Sequence, residues 1–287
     1  MGSVDIIPGI SGGTIAFITG IYHELIKSID KFSLKMLIKG QFKIFWSNIN
    51  GSFLTSLFLG VITGALFLSG ILIFLFDHYP IPIYAFIFGI ILGTFFQFVG
   101  LIKNKKTDDY FYLLASLAIS ICISQLNSFI VEPTLIYLFF CSVVAVSAMI
   151  LPGISGAMIL LILGVYNEIL YVIQNSIKIL FNFKFDDFLS IYSKVFSISL
   201  GVIFGLKIFS RFVVWLFNYR KRTTLLILTG LIGGSLPQLW PLKDCLNLYT
   251  LNSIFKSNEG LIICNNNELS ESIFFILAGL ILILVIN

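Results

Sequence analysis

The sequence predicts an all-α polytopic membrane protein, built as an inverted-topology repeat with two re-entrant or hairpin helices. Three observations predict this class. Of the 287 residues, 58% are hydrophobic and 11% are charged, whereas a soluble domain carries about 25% charge. A motif rich in Pro and Gly occurs twice, half a chain length apart. The basic loops also lie at opposite positions in the two halves.

The repeated motif comprises residues 8–12 (PGISG) and 20–24 (GIYHE), and then residues 152–156 (PGISG) and 164–168 (GVYNE). The offset is 144 residues, and the Pro, Gly, Ser, Tyr and Glu positions coincide. Pro and Gly at this density interrupt helices. Interrupted helices at corresponding places in two halves of a membrane protein indicate a transporter's binding site.

Apolar stretches follow the first motif, and most reach the length of about 20 residues that crosses a bilayer. Residues 133–167 hold no charge and contain the second motif, so we expect a helix followed by a re-entrant or hairpin helix that turns at Pro152. By symmetry the two turns should meet near the membrane midplane, covered by protein or a watery cavity. The apolar segment 135–151 has no counterpart before the first motif, so we expect a short N-terminus. The stretches are 52–76, 81–102, 110–131, 133–167, 195–217, 223–242 and 272–287.

Lysines recur every four residues between the first motif and the first apolar stretch. This spacing places them on one slowly drifting helical stripe. We expect an amphipathic helix on the anionic cytoplasmic face of the membrane, with an ordinary solvated loop helix as the alternative. The lysines are Lys27, Lys31, Lys35, Lys39 and Lys43.

Loop charge predicts how the halves are oriented, because short cytoplasmic loops carry an excess of Lys and Arg. In the first half the turn 77–82 has no Lys or Arg and the next loop has three. In the second half the turn 218–222 has three and the next loop, 243–271, has two. Corresponding loops therefore lie on opposite sides. This predicts an inverted repeat of residues 1–132 and 133–287, in the bacterial cytoplasmic membrane, with the C-terminus in the cytoplasm.

The chemistry at the two turns suits an anion. The first backbone N–H groups of a helix lack intrahelical partners, and the helix dipole is positive there, so such an end binds phosphate or carboxylate. Alternatively, the serines are plain N-caps and the glycines only permit close helix packing. The candidate residues are Ser11, Gly12, Gly13, Thr14, Ser155 and Gly156.

Lys207 and Arg211 are four residues apart in an otherwise apolar stretch, hence on one helical face. Each charge costs several kcal/mol on insertion scales. The matched positions are Leu66 and Gly70, so the fold does not require charge there. The pair suits a phosphate headgroup, with Arg offering bidentate contacts. For Arg211 the alternative is snorkelling to the cytoplasmic interface.

Glu24 and Glu168 are matched carboxylates in the two motifs. We consider them as proton carriers or counter-ions to Lys207 and Arg211, with helix-end residues at the interface as the alternative. No Cys or His cluster has metal-ligand spacing, and neither a Walker loop nor a nucleophile–base pair is present. We therefore expect no metal, cofactor, ATPase or other enzyme. The net charge of +4 lies in loops and does not indicate nucleic-acid binding. A Cys245–Cys264 disulfide requires an extracytoplasmic loop.

The doubled PGISG motif, with Asp5 ahead of the first copy and Gly-x-Tyr-x-Glu behind each, resembles the polyprenyl-phosphate transporter (PopT) family of bacterial membrane proteins. The run 230–241 (GLIGGSLPQLWP) is similar to that family's pattern. The resemblance implies recycling of undecaprenyl phosphate, the carrier lipid of wall synthesis, between leaflets. Asp5 then joins Glu24 and Glu168 as a coupling or counter-ion candidate, and homo-oligomerisation stays open.

Two other functions stay open on the sequence alone. One is a small-anion channel or transporter that uses the same helix ends. The other is a membrane-embedded enzyme that acts on lipid phosphate, which the missing nucleophile–base pair argues against. A proton gradient or the membrane potential is the expected energy source for a flippase of this kind.

Overall fold

The computed structural model describes residues 1–2, 11–101, 107–126, 133–182, 188–242 and 266–286. All regular secondary structure within these ranges is helical, which confirms the predicted all-α class. The first six helices are α1 (Gly12–Ile18), α2 (Tyr22–Asp30), α3 (Leu34–Ile38), α4 (Phe42–Asn48), α5 (Gly51–His78) and α6 (Pro80–Leu101). The next six are α7 (Thr107–Ser124), α8 (Leu135–Ile150), α9 (Gly156–Ile162), α10 (Tyr166–Asn182), α11 (Phe188–Gly234) and α12 (Asn266–Ile286), and a 3₁₀ turn (Leu236–Leu239) follows α11.

Three helical segments in the described ranges are long and apolar enough to cross a membrane: Pro80–Gly100, Leu189–Leu239 and Glu268–Val285. A fourth qualifies if α9 and α10 count as one bent span, since they meet at 112°. The segment Leu189–Leu239 has 51 residues. At about 1.5 Å per residue it is more than twice as long as a hydrocarbon core of about 30 Å.

Helix boundaries in the first half recur 144 residues later. Helix α1 has seven residues and so does α9, and α2 and α10 begin at corresponding tyrosines. The breaks between them have the same backbone, with Gly20 at φ 76° and Gly164 at φ 71°. Glycine adopts this left-handed conformation without the cost that a Cβ imposes. The Gly-x-Tyr-x-Glu part of the motif is therefore a second helix break after the PGISG turn.

A second correspondence occurs at an offset of 141. Between α5 and α6 the chain turns at Tyr79, with φ −135° and ψ 54°. Helix α11 contains one non-helical residue, Arg220, with φ −139° and ψ 45°. Since the two positions are related by this offset and have similar backbone geometry, α11 comprises two helical parts that correspond to α5 and α6.

Each glycine-rich helix packs against the last helix of the other half. In α6, a Cβ at Gly89 would lie 2.2 Å from the backbone oxygen of Ile276 in α12. In the second part of α11, a Cβ at Gly230 would lie 2.5 Å from the backbone oxygen of Leu113 in α7. Only glycine permits such approaches. The two sequence halves are thus interlocked.

Helix α8 packs on the first part of α11, where a Cβ at Gly201 would lie 2.4 Å from the backbone oxygen of Phe139. The matched glycine of α5 is Gly60, and among the described residues no atom lies within 4 Å of the equivalent Cβ position. Gly60 and Gly201 thus occupy matched positions. Among the described residues, a helix packs on the glycine of α11 and none packs on that of α5.

The lysine segment differs from expectation. The four-residue spacing predicts one amphipathic helix, whereas residues 22–48 form three short helices, α2, α3 and α4. Helix α3 is followed by Gly40 at φ 68°, which ends the helix because the left-handed backbone breaks the hydrogen-bond ladder. The single-helix prediction is therefore wrong. All five lysines are nevertheless exposed, as a surface segment requires.

The second motif and the described residues of the first motif pack into the main hydrophobic cluster. The main hydrophobic cluster draws buried residues from α1, α2, α6, α8 and α11, and Ile154 of the second PGISG turn is part of it. The predicted helix break at Pro152 is confirmed, since α8 ends at Ile150 and α9 begins at Gly156. Burial of apolar side chains around the second turn holds its irregular backbone away from lipid.

Candidate functional site

Ser11 of the first PGISG motif and Thr14 of α1 contact the end of α8 and the second PGISG motif. The hydroxyl of Thr14 accepts a hydrogen bond from the backbone N–H of Gly153 at 2.9 Å. The hydroxyl of Ser11 donates to the backbone oxygen of Met149 at 3.3 Å and accepts from the N–H of Gly13 at 3.1 Å. Both side chains are almost fully buried. These hydroxyls therefore hold the start of α1 against the end of α8 and the second motif.

Ser11, Ser155 and Gly156 line one cavity of about 400 Å³. Ser155 precedes α9 as its N-cap, but its side chain forms no capping hydrogen bond. The cavity wall comes from α8, α9, α10 and the first part of α11, and apolar side chains form most of it. Among the described residues that line it there is no charged group, so an anion here would lack a cation.

The glycines at the turns pack tightly. A Cβ at Gly156 would lie 3.0 Å from the backbone oxygen of Ala145, and one at Gly13 would lie 2.9 Å from that of Ile150. Both glycines thus permit close contact with α8. This agrees with the alternative interpretation of the sequence, in which the glycines serve helix packing. A Gly156→Val variant would strain the α8–α9 contact. A loss of ligand binding in that variant could therefore result from a loss of folding. Gly12 is buried as well.

Lys207 caps the C-terminal end of α2. Its ammonium donates to the backbone oxygens of Asp30 and of Phe32, the latter at 2.9 Å. The carboxylate of Asp30 lies 3.9 Å away. The last carbonyls of a helix lack intrahelical partners and form the negative end of its dipole, so a cation stabilises them. Sequence reasoning could not find this contact because 177 residues separate Lys207 from Asp30.

Lys207 and Lys31 stand on the wall of a cavity of about 520 Å³ between α2, α5 and α11. The rest of the wall is mostly apolar, with Leu54, Ile203 and Leu206 among its members. Arg211 lies one helical turn beyond Lys207 and is exposed. In the described part of the chain no group forms a hydrogen bond or ion pair with Arg211. Lys207 and Arg211 do not line the motif cavity.

The matched carboxylates form matched contacts. Glu24 accepts a hydrogen bond of 2.6 Å from the side-chain amide of Asn50. Glu168 forms an ion pair of 2.6 Å with Lys194. Each partner lies 26 residues after its glutamate, so the two contacts correspond at the motif offset of 144. Sequence reasoning missed both partners, although aligning the halves by the motif would have paired Asn50 with Lys194.

The chain matches the family model described as undecaprenyl phosphate translocase-like over residues 1–256. It belongs to that family. A polyprenyl-phosphate transporter of Vibrio cholerae serotype O1 (strain ATCC 39315 / El Tor Inaba N16961) is 37% identical over 254 residues, covering 86% of this chain and 77% of the relative. A polyprenyl-phosphate transporter of Staphylococcus aureus (strain NCTC 8325 / PS 47) is 30% identical over 254 residues, covering 84% and 83%. No solved structure matches the chain.

This member of the undecaprenyl phosphate translocase-like family is a multi-pass membrane protein, as its apolar helices and its transporter relatives indicate. Family membership confirms the resemblance that the doubled motif predicts. Several residues singled out in the sequence lie outside the described ranges: Asp5, Pro8, Lys103, Lys105, Lys106, Cys245 and Cys264.

The basic turn of α11, residues 218–222, places Arg222 and Lys221 beside different elements. Arg222 forms an ion pair with Asp109 at the start of α7, with nitrogen–oxygen distances of 3.2 and 2.5 Å. Lys221 lines a cavity beside His23. The pKa of His23 lies below its ordinary value because burial disfavours the charged ring, and Lys27 and Lys221 lower it further. Neither the ion pair nor the shared cavity was predicted, since each joins segments distant in sequence.

Proposed function

We propose that this chain is a flippase that moves undecaprenyl phosphate, or a related polyprenyl phosphate, between leaflets of the bacterial cytoplasmic membrane for recycling of the envelope carrier lipid. One observation carries the proposal: the start of α1, directly after the first PGISG motif, is buried against the second PGISG turn in a member of the undecaprenyl phosphate translocase-like family. Interrupted helices in corresponding positions are where transporters bind their substrates. The proposed activity is transport, with no enzymatic step and no cofactor.

The proposed orientation is an inverted repeat of residues 1–132 and 133–287, with α1–α2 and α9–α10 as re-entrant elements. The recurring helix bounds and breaks support a duplication. The reversed loop charge supports the inversion and a cytoplasmic C-terminus.

The proposed headgroup contacts are Lys207 and Arg211. Arg211 is exposed, and its guanidinium suits bidentate contact with phosphate oxygens. Lys207 now holds the carbonyls at the end of α2, and in the loaded protein it would share its three donors between these oxygens and the phosphate. The apolar wall of the adjacent cavity suits the isoprenoid tail.

The motif residues have different proposed roles. Ser11 and Thr14 join the two turns, with Gly12 and Gly13 packed behind them, so they would position the second motif. Ser155 and Gly156 line the other cavity, of about 400 Å³, whose wall comes from α8, α9, α10 and the first part of α11. There they would contact the substrate on its path. Glu24, Glu168 and Asp5 stay candidates for coupling or charge compensation, with Glu168 now paired to Lys194.

Transport by the purified full chain in proteoliposomes tests this proposal. The probe is a short-chain polyprenyl phosphate with a fluorescent tail, and a membrane-impermeant quencher reports the leaflet. We expect Arg211→Gln to slow leaflet exchange at least about tenfold, a loss of about 1.4 kcal/mol in transition-state stabilisation. We expect Arg211→Lys to restore part of the rate, because it retains charge but not the bidentate fork.

Substitution of Arg211 tests headgroup binding more directly than Lys207→Ala does, because Lys207→Ala would also leave the carbonyls at the end of α2 without their cap. Lys43→Gln is the matched control, since Lys43 is an exposed cation on α4 and should exchange lipid at the wild-type rate. Failure of the wild-type protein to exchange the probe would reject the function. A normal rate for Arg211→Gln would reject the headgroup assignment. Release of inorganic phosphate from the probe would indicate an enzyme instead.

A further inference from the structure

A further cavity, of about 440 Å³, lies between α2, α4 and α5 and has no role in the proposed function. Its wall is almost entirely apolar, and none of the described residues that line it is charged. Apart from Trp46, the only polar side chain on the described wall is that of Thr55. The Thr55 hydroxyl donates to the backbone oxygens of Gly51 and Ser52, so it is already engaged within α5. The cavity therefore suits hydrocarbon rather than a polar ligand.

This cavity meets the Lys207 cavity at two side chains. Ile29 of α2 and Leu54 of α5 belong to its wall and also to the wall of the cavity of about 520 Å³ that holds Lys207. Both side chains are half-buried and neither has a polar group, so a flexible hydrocarbon chain passes over them without losing hydrogen bonds. We call the two cavities together the α2–α5 groove, since these two helices supply wall residues along its whole length.

Charge is confined to one end of the α2–α5 groove. Lys31 and Lys207 line the first cavity, whereas the described wall of the second has no charged residue. Cationic donors form strong hydrogen bonds with phosphate oxygens, and covering hydrocarbon with an apolar wall is favourable. The groove therefore complements a molecule that has one anionic end and an extended apolar remainder. A free phosphate ion would leave the second cavity without a ligand.

The second cavity opens at an apolar part of the protein surface. On its wall, Trp46 is 50% exposed and Phe58 is 63% exposed, and Trp is common where membrane proteins meet lipid headgroups. Along α5 the wall extends from Gly51 to Val61, which corresponds to about 15 Å of helix. A chain that enters the groove beside Lys207 can therefore lie along α5 and continue into the bilayer, as a lipid with a long tail requires.

We propose that the α2–α5 groove binds the isoprenoid chain of a polyprenyl phosphate, with the first units beside Lys207 and the following units across Ile29 and Leu54 in the second cavity. This inference rests on the proposed function, which supplies the headgroup at Lys207 and Arg211. Recognition then depends on chain length, because a short chain ends in the first cavity and a longer one also fills the second. The groove thus distinguishes a lipid phosphate from small phosphates that share its headgroup.

Binding to the purified full chain in one neutral detergent tests the groove, with farnesyl phosphate as the longer probe and dimethylallyl phosphate as the shorter one. Leu57 lines the second cavity and not the first, and Leu57→Trp would fill that cavity with apolar atoms. We expect Leu57→Trp to weaken farnesyl phosphate binding about tenfold, because the end of the chain loses its buried contact. Dimethylallyl phosphate should bind this variant as it binds the wild type.

Two further variants control for the shape and the position of the substitution. Leu57→Asn makes the wall polar instead of filling the cavity, and it should produce the same selective loss. Leu59→Trp is the matched control, because Leu59 lies on the same helix, is 62% exposed and is part of neither wall. It should bind both probes like the wild type. Thermal unfolding of each variant shows whether a loss of binding comes from a loss of folding, which would affect both probes.

Normal affinity of Leu57→Trp and Leu57→Asn for farnesyl phosphate would overturn the groove. An equal loss for the longer and the shorter probe, or an equal loss in Leu59→Trp, would overturn it too. Displacement of farnesyl phosphate by the same concentration of phosphatidylglycerol would assign the groove to ordinary bilayer lipid, against the proposal.

Lipid exchange separates this inference from the proposed function. If Arg211→Gln loses exchange while both Leu57 variants bind farnesyl phosphate normally, the flippase stands and the groove falls. If the Leu57 variants lose farnesyl phosphate selectively while the wild type exchanges no lipid, the groove is a lipid-phosphate site and the transport function fails.

Discussion

The Glu24–Asn50 contact of the first half and the Glu168–Lys194 contact of the second half have the same position and different chemistry. The glutamates and their partners correspond at one offset, and both pairs measure 2.6 Å. The first is a hydrogen bond to a neutral amide and the second is an ion pair. The contact thus recurs at matched positions, while the charge of the partner does not.

Backbone conformation explains the difference. Asn50 is the N-cap of α5 and has φ 51°, a left-handed conformation that Asn adopts more readily than other residues with a Cβ. Lys194 lies within α11, in ordinary helical backbone. A lysine is therefore favourable at one position and strained at the other. Corresponding positions in the two halves can hold different charges because each satisfies its own local geometry.

The glycine faces offer the largest test of the comparison. Gly201→Val would place side-chain atoms against the backbone of α8, and overpacking of this severity costs about 3 kcal/mol or more. Gly60→Val, at the matched position of α5, meets open space among the described residues and should be almost neutral. Thermal unfolding of the two purified variants in one detergent measures the difference. Equal destabilisation would show that the two faces are alike after all.

Exchanging the partners of the glutamates should produce a smaller effect. Lys194→Asn converts the second contact to the chemistry of the first and should cost about 0.5–1 kcal/mol, since the pair is partly exposed. Asn50→Lys gains an ion pair but forces lysine into left-handed backbone, at about 1 kcal/mol, so the net change should be near zero.

Thermal unfolding of Lys194→Asn, of Asn50→Lys and of the variant with both substitutions measures these changes in stability. A clear stabilisation by Asn50→Lys would contradict the explanation from backbone conformation. Glu168→Gln, which keeps the contact and removes its charge, should resemble Lys194→Asn.

The smallest effect concerns His23, which corresponds to Asn167 in the second motif. Its pKa in the folded chain is lowered by burial, and further by Lys27 and Lys221. The unfolded chain therefore binds a proton more readily, and stability should fall as pH drops below about 6.5, the ordinary value of the imidazole. His23→Asn, which copies the second motif, should lose this part of the pH dependence. An unchanged pH profile of the melting temperature in His23→Asn would refute the assignment to His23.

Sequence analysis predicted the parts of the fold that depend on local chemistry. The all-helical class and the break at Pro152 follow from composition and from residues that cannot continue a helix. Helix starts at Gly12 and Gly156 follow from the serines before them. The break at Gly20 and Gly164, where φ is left-handed, was missed, although a glycine at the same place in both motifs was its signal in the sequence. The continuous lysine helix was wrong because spacing alone ignores Gly40.

The candidate site was less predictable because its contacts join distant segments. Lys207 was chosen for the cost of a charge in an apolar stretch, yet its observed partners are carbonyls of α2. The serines and glycines of both turns were chosen for an anion, and the structure shows Ser11 and Thr14 engaged between the motifs. Periodicity gives the face of a helix and not the element that covers it.

The crossed packing of α6 on α12 and of the second part of α11 on α7 has a consequence for the ancestry of the chain. If the chain arose by duplication, a single ancestral copy had a glycine-rich helix whose closest neighbour belonged to another copy. Such a protein would expose that helix as a monomer and complete its packing only by exchanging last helices with a second molecule. Gene fusion would then have converted an obligate dimer into one chain, and released each half to change its charges independently.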